Sequence, residues 1–290
     1  MNLRRVKEFI IEKLIFLSGV ASILFVLLIF VFLLKEGLTF FGQESFMGFV
    51  AGKYWYPISE PARFGILPLI CGSLLVTLGA VIVAVPISIA AAFYISEVAP
   101  HRIKDILKAG IECLAAIPSV VLGFIGMVTL IPWIKRAFGL PTGLTALSGS
   151  LILGLMAMPT IISIAEDAIN ALPRAYREAA LALGATRWQA MYRVTIYAAL
   201  PGIIAAVMLG IGRVIGETMA VMMLTGNAAV IPSTFLEPVR TLTATIAAEM
   251  GEAVQASAHY YSLFAIGIIL FVITFVINVT ADLFLHRNKR

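Results

Sequence analysis

Two charged side chains, Arg213 and Glu217, stand inside an otherwise apolar run from Leu200 to Leu224. A charge at the centre of a bilayer costs roughly 2.5–3.5 kcal/mol on insertion scales, so each must face protein or water rather than lipid. On a helix, positions four apart share a face. Gly212 and Gly216 flank the pair at a spacing that lets another helix approach closely, so the stripe is expected at a helix interface. A guanidinium presents several donors in a planar fork, which suits the oxygens of an oxyanion. With Glu217 offsetting part of its charge, Arg213 would hold a passing anion without trapping it, and Thr218 would add a hydroxyl. The same pair could instead lock two helices together and never meet a substrate. The residues alone leave both readings open. Glu112, near the inner end of an earlier run, is expected to pair with Lys108.

Other chemistries find no support. For a phosphate-cradling G-x-x-x-x-G-K-S/T loop, Gly52-Lys53 comes nearest, but Met47 stands where the first glycine belongs, so the chain should not bind ATP itself. His101, His259 and His286 are scattered, with no H-E-x-x-H spacing for zinc. Gly149-Ser150 runs on into Leu151 rather than into a nucleophile elbow. Cys71 and Cys113 both lie in apolar runs and read as packing residues, not as a disulfide or metal site. No catalytic residue, metal or cofactor is expected.

What must position Arg213 is a membrane bundle. Of the 290 residues, 61% are hydrophobic and 13% charged, and the mean hydropathy is +1.01. Soluble domains carry about 25% charged residues, so a soluble enzyme, a disordered scaffold and a disulfide-stapled secreted domain are excluded. Six apolar runs are long enough to cross a bilayer as helices: Leu14 to Leu34, Ile66 to Ile95, Ile106 to Ile131, Leu144 to Ala165, Leu200 to Leu224 and Tyr261 to Leu285. They do not alternate in polarity as barrel strands do. The first lacks a small-residue cleavage site and reads as a retained span.

The net charge of +5 does not point to nucleic acid, because its placement follows the membrane. With the N-terminus inside, Arg4, Arg5, Lys7, Lys13, the 102–108 cluster, the 174–193 cluster and the C-terminal Arg287, Lys289 and Arg290 are all internal. The outer segments hold only Lys35, Lys53, Arg63, Lys135, Arg136 and Arg240. Both termini are therefore expected in the cytoplasm.

Several features punctuate the spans. Pro86 is expected to kink the long second run, and Ile117-Pro118-Ser119 and Met158-Pro159-Thr160 interrupt the third and fourth. Outside, Lys53-Tyr54-Trp55-Tyr56-Pro57 reads as an interfacial aromatic belt. The stretch from Thr241 to Ala256 reads as a short amphipathic helix beside the membrane.

The inner segment from Glu166 to Trp188 is too polar to span and too rich in Ala, Leu, Glu and Arg to be a slack loop. Pro173 suits a helix start and Gly184 a helix stop, predicting a helix of about ten residues between them. Thr186 can cap a second helix, with Gln189 completing a capping box. Small residues such as Ala179, Ala180 and Ala182 fit a protein groove better than a membrane surface.

Glu178-Ala179-Ala180 followed by Gly184 resembles the EAA motif of ABC importer permeases. That family's I-x-L-P close is not matched: Val194-Thr195-Ile196-Tyr197 lacks the proline, and the nearest is Pro201. The stretches from Glu112 to Gly123 and from Leu209 to Val221 resemble phosphate importer permeases, of the PstC-like rather than the PstA-like kind. The likeness runs from about Phe64 onward. It implies an all-α, six-span MetI-like fold, with residues 1–65 forming an N-terminal helix and outer loop and 66–290 the permease core, including a coupling-helix loop at about 166–199. It also implies coupling to an ATPase through Glu178, Ala179, Ala180 and Gly184, and a substrate path at Arg213 and Glu217. The implied partners are a PstA-like second permease, two PstB-like ATP-binding subunits, a PstS-like external phosphate-binding protein and the lipid membrane. A permease for molybdate or sulfate, or an ion-gradient-driven carrier, are the rival expectations; the carrier should lack a coupling helix and show internal repeats.

Overall fold

A computed structural model describes residues 3–42 and 44–287. The side chains of Arg4, Arg5, Lys7, His286 and Arg287, and all of Lys289 and Arg290, lie outside the described residues. The described residues are mostly helical. Six helical stretches are long and apolar enough to cross a membrane: 11–41, 67–98, 119–138, 146–170, 187–216 and 258–280.

The first span is the end of α1 (Leu3–Phe41). A short helix α2 (Phe46–Ala51) and a two-residue hairpin, β1 (Trp55–Tyr56) against β2 (Arg63–Phe64), lead to α3 (Leu67–Phe93). α3 passes through Pro86 as one helix and ends in a π turn, Tyr94–Val98. Next come α4 (His101–Ala116), α5 (Ser119–Ile125), a second π turn and α6 (Ile131–Phe138). α7 (Ala146–Asn170) also runs unbroken through its proline, Pro159. α8 (Arg174–Ala182), α9 (Arg187–Ala190) and a third π turn (Met191–Thr195) lead into α10 (Ile196–Gly216). The chain closes with α11 (Met219–Leu224), α12 (Leu242–Glu249) and α13 (Ala258–Arg287).

α7 is the axis of the bundle, packed between α3 and α10. Small residues set these distances, as expected where lipid supplies no hydrophobic drive between helices. A Cβ on Gly79 would overlap Ser150, one on Gly202 would overlap Ala168, and one on Gly210 would overlap Ile161. Ser150 Oγ, buried between the helices, donates to the Val76 carbonyl at 3.1 Å. α1 lies outside this core against α13, where the Phe30 ring packs tilted against Phe271 and Gly37 and Gly267 allow close approach.

The structure redraws two of the six expected spans. The apolar run from Ile106 to Ile131 is not one helix: Pro118 has no N–H to give, and Ile117 before it is extended (ψ 126°), so α4 stops there. α4 has no buried residue, and the third span begins at Ser119. The run from Leu200 to Leu224 breaks at Glu217, while its helix reaches back through the π turn to α9.

Two segments between the spans also differ from expectation. The 241–256 stretch is no surface helix. Thr241 caps α12 by accepting from Ala244 N–H, and Leu242, Thr243, Ala244 and Thr245 are buried under α13, α3 and α11. Trp55 is not a belt residue either: it is 2% exposed, with Nε1 donating to Glu249 at 3.1 Å, while Tyr54 and Tyr56 face outward. Cys71 is half-buried and Cys113 exposed, so only the first acts as packing within this chain.

Candidate functional site

The break in the fifth span sets the first site. α10 ends at Gly216, Glu217 is extended (φ −68°, ψ 133°), and α11 restarts after Thr218. A helix broken inside a bundle must find partners for its orphaned backbone groups. Glu217 N–H donates to the Val214 carbonyl, Thr218 Oγ1 donates to the Gly216 carbonyl at 3.2 Å, and Thr243 Oγ1 donates to the Glu217 carbonyl at 2.9 Å. The Glu217 carboxylate accepts from Ala220 N–H at 3.3 Å. It thus faces the positive N-terminal end of α11, where a carboxylate is favoured.

Arg213 and Glu217 therefore do not share a helical face, contrary to the i,i+4 expectation, and form no ion pair among the described residues. Arg213 sits in the last turn of α10, exposed, and its Nη1 donates to Thr160 Oγ1 of α7 at 2.9 Å. Thr160 lies 14 residues from the first residue of α7 and 10 from the last, so the guanidinium meets α7 near its middle. Gly212 and Gly216 lie beside it, and a Cβ on either would touch nothing within 4 Å. The small-residue stripe thus opens away from this chain's own helices. The result is a cation with uncommitted donors, on an open glycine-lined face, half-way along the bundle. Thr160 was not singled out by the sequence, where Pro159 before it drew the only signal.

The second site is the elbow of α8 and α9. The elbow forms as its sequence dictates. Pro173 precedes α8, and Gly184 closes it in the left-handed region (φ 84°). Gly184 N–H bonds the Leu181 carbonyl and Ala185 N–H bonds the Ala180 carbonyl, the paired bonds of a Schellman turn. Thr186 and Gln189 then cap α9 reciprocally, at 2.9 and 3.2 Å. Where the EAA pattern would close on proline, α9 instead passes through the π turn straight into α10.

Glu178, Ala179 and Gly184 are exposed and Ala180 is buried. Tyr176 (53% exposed) and Leu183 (90%) project beside them. With Ala175, Ala179, Ala180 and Val194 they line an open, almost wholly apolar groove of about 410 Å³. The spacing of Tyr176 and Leu183 around the EAA core, seven residues apart on one helix face, was the signal available for them.

Behind the elbow lies a polar network. Glu166, whose side chain is 2% exposed, accepts from Lys104 at 2.8 Å and Lys108 at 2.9 Å, and is also bonded by Asn170. Asn170 Oδ1 accepts from Ser96 at 2.8 Å. Lys108 is thus committed to Glu166 and Asp167, not to Glu112, which is exposed and has no partner among the described residues. The Glu166 hydrogen bond holds Lys108 protonated above the ordinary lysine range. Arg177 of α8 forms an ion pair with Glu97 in the π turn after α3. Among the described residues, no group of three or more His, Cys, Asp and Glu could hold a metal.

Comparison with known proteins gives one consistent answer. Residues 84–290 match the family described as binding-protein-dependent transport system inner membrane component. The chain is 40% identical over 228 residues to a probable ABC transporter permease protein, YqgH, of Bacillus subtilis, covering 79% of this chain and 74% of that one. It is 35% identical over 258 residues to the phosphate transport system permease protein PstC of Mesorhizobium japonicum (82% and 78%). With PstC of Pasteurella multocida it shares 32% over 289 residues (90% and 89%). Among solved structures, a chain of a bacterial alginate ABC transporter in complex with its periplasmic protein superposes with a TM-score of 0.67 at 18% identity, covering 98% of each chain.

Proposed function

Given that the chain belongs to the family of binding-protein-dependent transport system inner membrane components, we propose that it is the PstC-like subunit of an ATP-driven importer of inorganic phosphate. It is a multi-pass membrane protein and a transport subunit, not an enzyme. In this family a paired permease, a separate ATPase and a substrate-binding protein complete the machine. The PstC relatives support the finer assignment to PstA-, PstB- and PstS-like partners and to phosphate as cargo.

The observation that carries the phosphate path is the placement of Arg213. Its guanidinium reaches the middle of α7 on a face that Gly212 and Gly216 leave open. The second permease closes that face and makes the far wall of the path. A phosphate released from the external binding protein meets a planar fork of donors there, each charge-assisted bond worth roughly 1.5–3 kcal/mol net. One arginine is enough to admit the anion. Glu217, tied to the α11 end a few residues away, keeps the local field from becoming a trap. Thr218 holds the break open through its bond to Gly216 rather than reaching for substrate.

The elbow lies in the cytoplasm, with both termini on the same side, in keeping with the basic clusters at 102–108 and 174–193. ATP binding in the partner draws Glu178, Ala179, Ala180 and Gly184 inward, and the bundle rocks about α7. Residues 66–290 form the transport core, and α1 with the outer hairpin is an addition to it.

The test is uptake by the complete four-component complex in proteoliposomes. Labelled phosphate is expected to accumulate only with ATP inside and binding protein outside, and unlabelled sulfate or molybdate should not compete. Accumulation of either of those ions in place of phosphate would overturn the assignment.

A further inference from the structure

Arg177 is one residue ahead of the EAA core, yet it turns the other way. Among the described residues it is the one side chain of α8 that bonds another element. Its guanidinium is paired with Glu97, and Nη2 also reaches the Ile169 carbonyl at 3.5 Å. Both partners are shielded, with side chains 30% and 14% exposed, so the pair is little screened by water. Glu97 sits in the π turn Tyr94–Val98, which ends the second span just before the chain goes extended at Ala99. Single π turns cluster at functional sites in helices. The next residue back, Ser96, bonds Asn170, and Asn170 bonds the buried Glu166 that holds Lys104 and Lys108 of α4.

The chain itself ties the elbow at both ends, to α7 through residues 171–173 and through α9 into the fifth span. The ion pair adds a cross-link to the second span, which Ser96 and Asn170 continue to α7 and α4. A cavity of about 490 Å³, lined by Glu97, Arg177, Leu181, Arg187, Trp188 and Thr195 among others, opens beside the pair. The buried Arg177 Nε has no partner, so the pair is not locked into one saturated geometry.

We propose that Arg177 and Glu97 are positioning residues of the transport cycle, through whose ion pair displacement of α8 is transmitted to the end of the second span. The chain connections alone, to α7 and through α9 to α10, would let α8 move while α3 stayed behind. With the pair in place, α3 and α10, on either side of α7, are drawn together. This inference rests on the proposed role of α8 as the element on which an ATPase pulls.

The experiment measures phosphate accumulated per ATP hydrolysed by the four-component complex in proteoliposomes. It compares wild type, Glu97→Gln and the swapped double variant Glu97→Arg with Arg177→Glu. Glu97→Gln is expected to co-purify with its partners and keep basal ATP hydrolysis, while the ratio falls by about tenfold or more, within the usual range of coupling between sites. The swapped variant should recover most of the ratio. A merely structural pair would lower assembly and transport together and leave the ratio unchanged. A wild-type ratio in Glu97→Gln overturns the proposal, as does a swapped variant that assembles but stays uncoupled. Should neither variant assemble, the pair is a folding contact and the proposal is also overturned. If wild type itself neither hydrolyses ATP nor moves phosphate, the functional assignment fails instead.

Discussion

Arg213 of α10 and Thr160 of α7 are joined by a hydrogen bond of 2.9 Å from Nη1 to Oγ1, and this bond aims the guanidinium along the open glycine face. Arg213→Gln removes the charge and leaves only a shorter amide donor. The complex should assemble normally, and phosphate uptake should fall about 10- to 100-fold, the equivalent of one charge-assisted hydrogen bond. Arg213→Lys should fall between, since an ammonium lacks the planar fork. Uptake assays at matched expression check both, and normal uptake by Arg213→Gln would remove the residue from the path.

The glycines of the same helix predict opposite outcomes from one kind of change. A Cβ at Gly212 or Gly216 meets nothing in this chain, whereas one at Gly210 overlaps Ile161. Gly212→Leu should raise the thermal stability of the isolated subunit, by about 0.5–1 kcal/mol from helix propensity, yet abolish transport by filling the face the second permease must approach. Gly210→Leu should destabilise the isolated subunit by about 1–3 kcal/mol through overpacking. Thermal unfolding in detergent, alongside uptake, separates the two. Unimpaired transport in Gly212→Leu would show that the face is not used.

Much of this arrangement was legible in the sequence where the signal is local. The elbow was read almost residue for residue, because Pro173, Gly184 and the Thr186–Gln189 box act on backbone groups within a few positions of themselves. Four spans followed from apolar length alone. The break at Glu217 did not, since Gly216-Glu217 in an apolar run looks like helix interior. Besides Thr218, what holds it open is Thr243, 26 residues on, whose hydroxyl donates to the freed carbonyl. Pro118 broke the third run and Pro159 left the fourth whole, so a proline marks a possible break while packing decides it. The 241–256 stretch misled for a related reason: its three threonines bond within α12's own cap and first turn or to Glu217, which lets that end of the segment be buried.

Trp55 and Tyr54 are neighbours with opposite duties. The Trp55 indole donates to Glu249, which also accepts from Arg240 at 2.6 Å and lies 2.9 Å from His259 Nε2, tying the β1–β2 hairpin to α12 and α13. Trp55→Phe should cost about 1–3 kcal/mol by leaving a carboxylate short of a donor in a shielded site. Tyr54→Phe, on the exposed side of the hairpin, should be neutral within about 0.5 kcal/mol. Thermal melts of the two variants decide it. Equal stabilities would return Trp55 to the role of an interfacial anchor.

Glu178 tests the elbow from the outside. Its side chain is exposed and bonds nothing among the described residues, so Glu178→Arg should leave the fold of the subunit untouched, and thermal unfolding should not move by more than about 0.5 kcal/mol. The reversed charge stands next in sequence to Ala179 of the apolar groove that Tyr176 and Leu183 also line. If an ATPase seats on that groove, a like-charge or unpaired contact at its rim costs several kcal/mol. ATP-driven uptake should then be lost, with weakened co-purification of the ATPase, while the second permease still co-purifies. The distinction matters because Arg177, next in sequence, faces inward to Glu97. Disturbing Glu178 should detach the motor, whereas disturbing Glu97 should leave the motor attached and turning without effect. Full transport with retained co-purification in Glu178→Arg would mean that force enters the bundle somewhere other than α8.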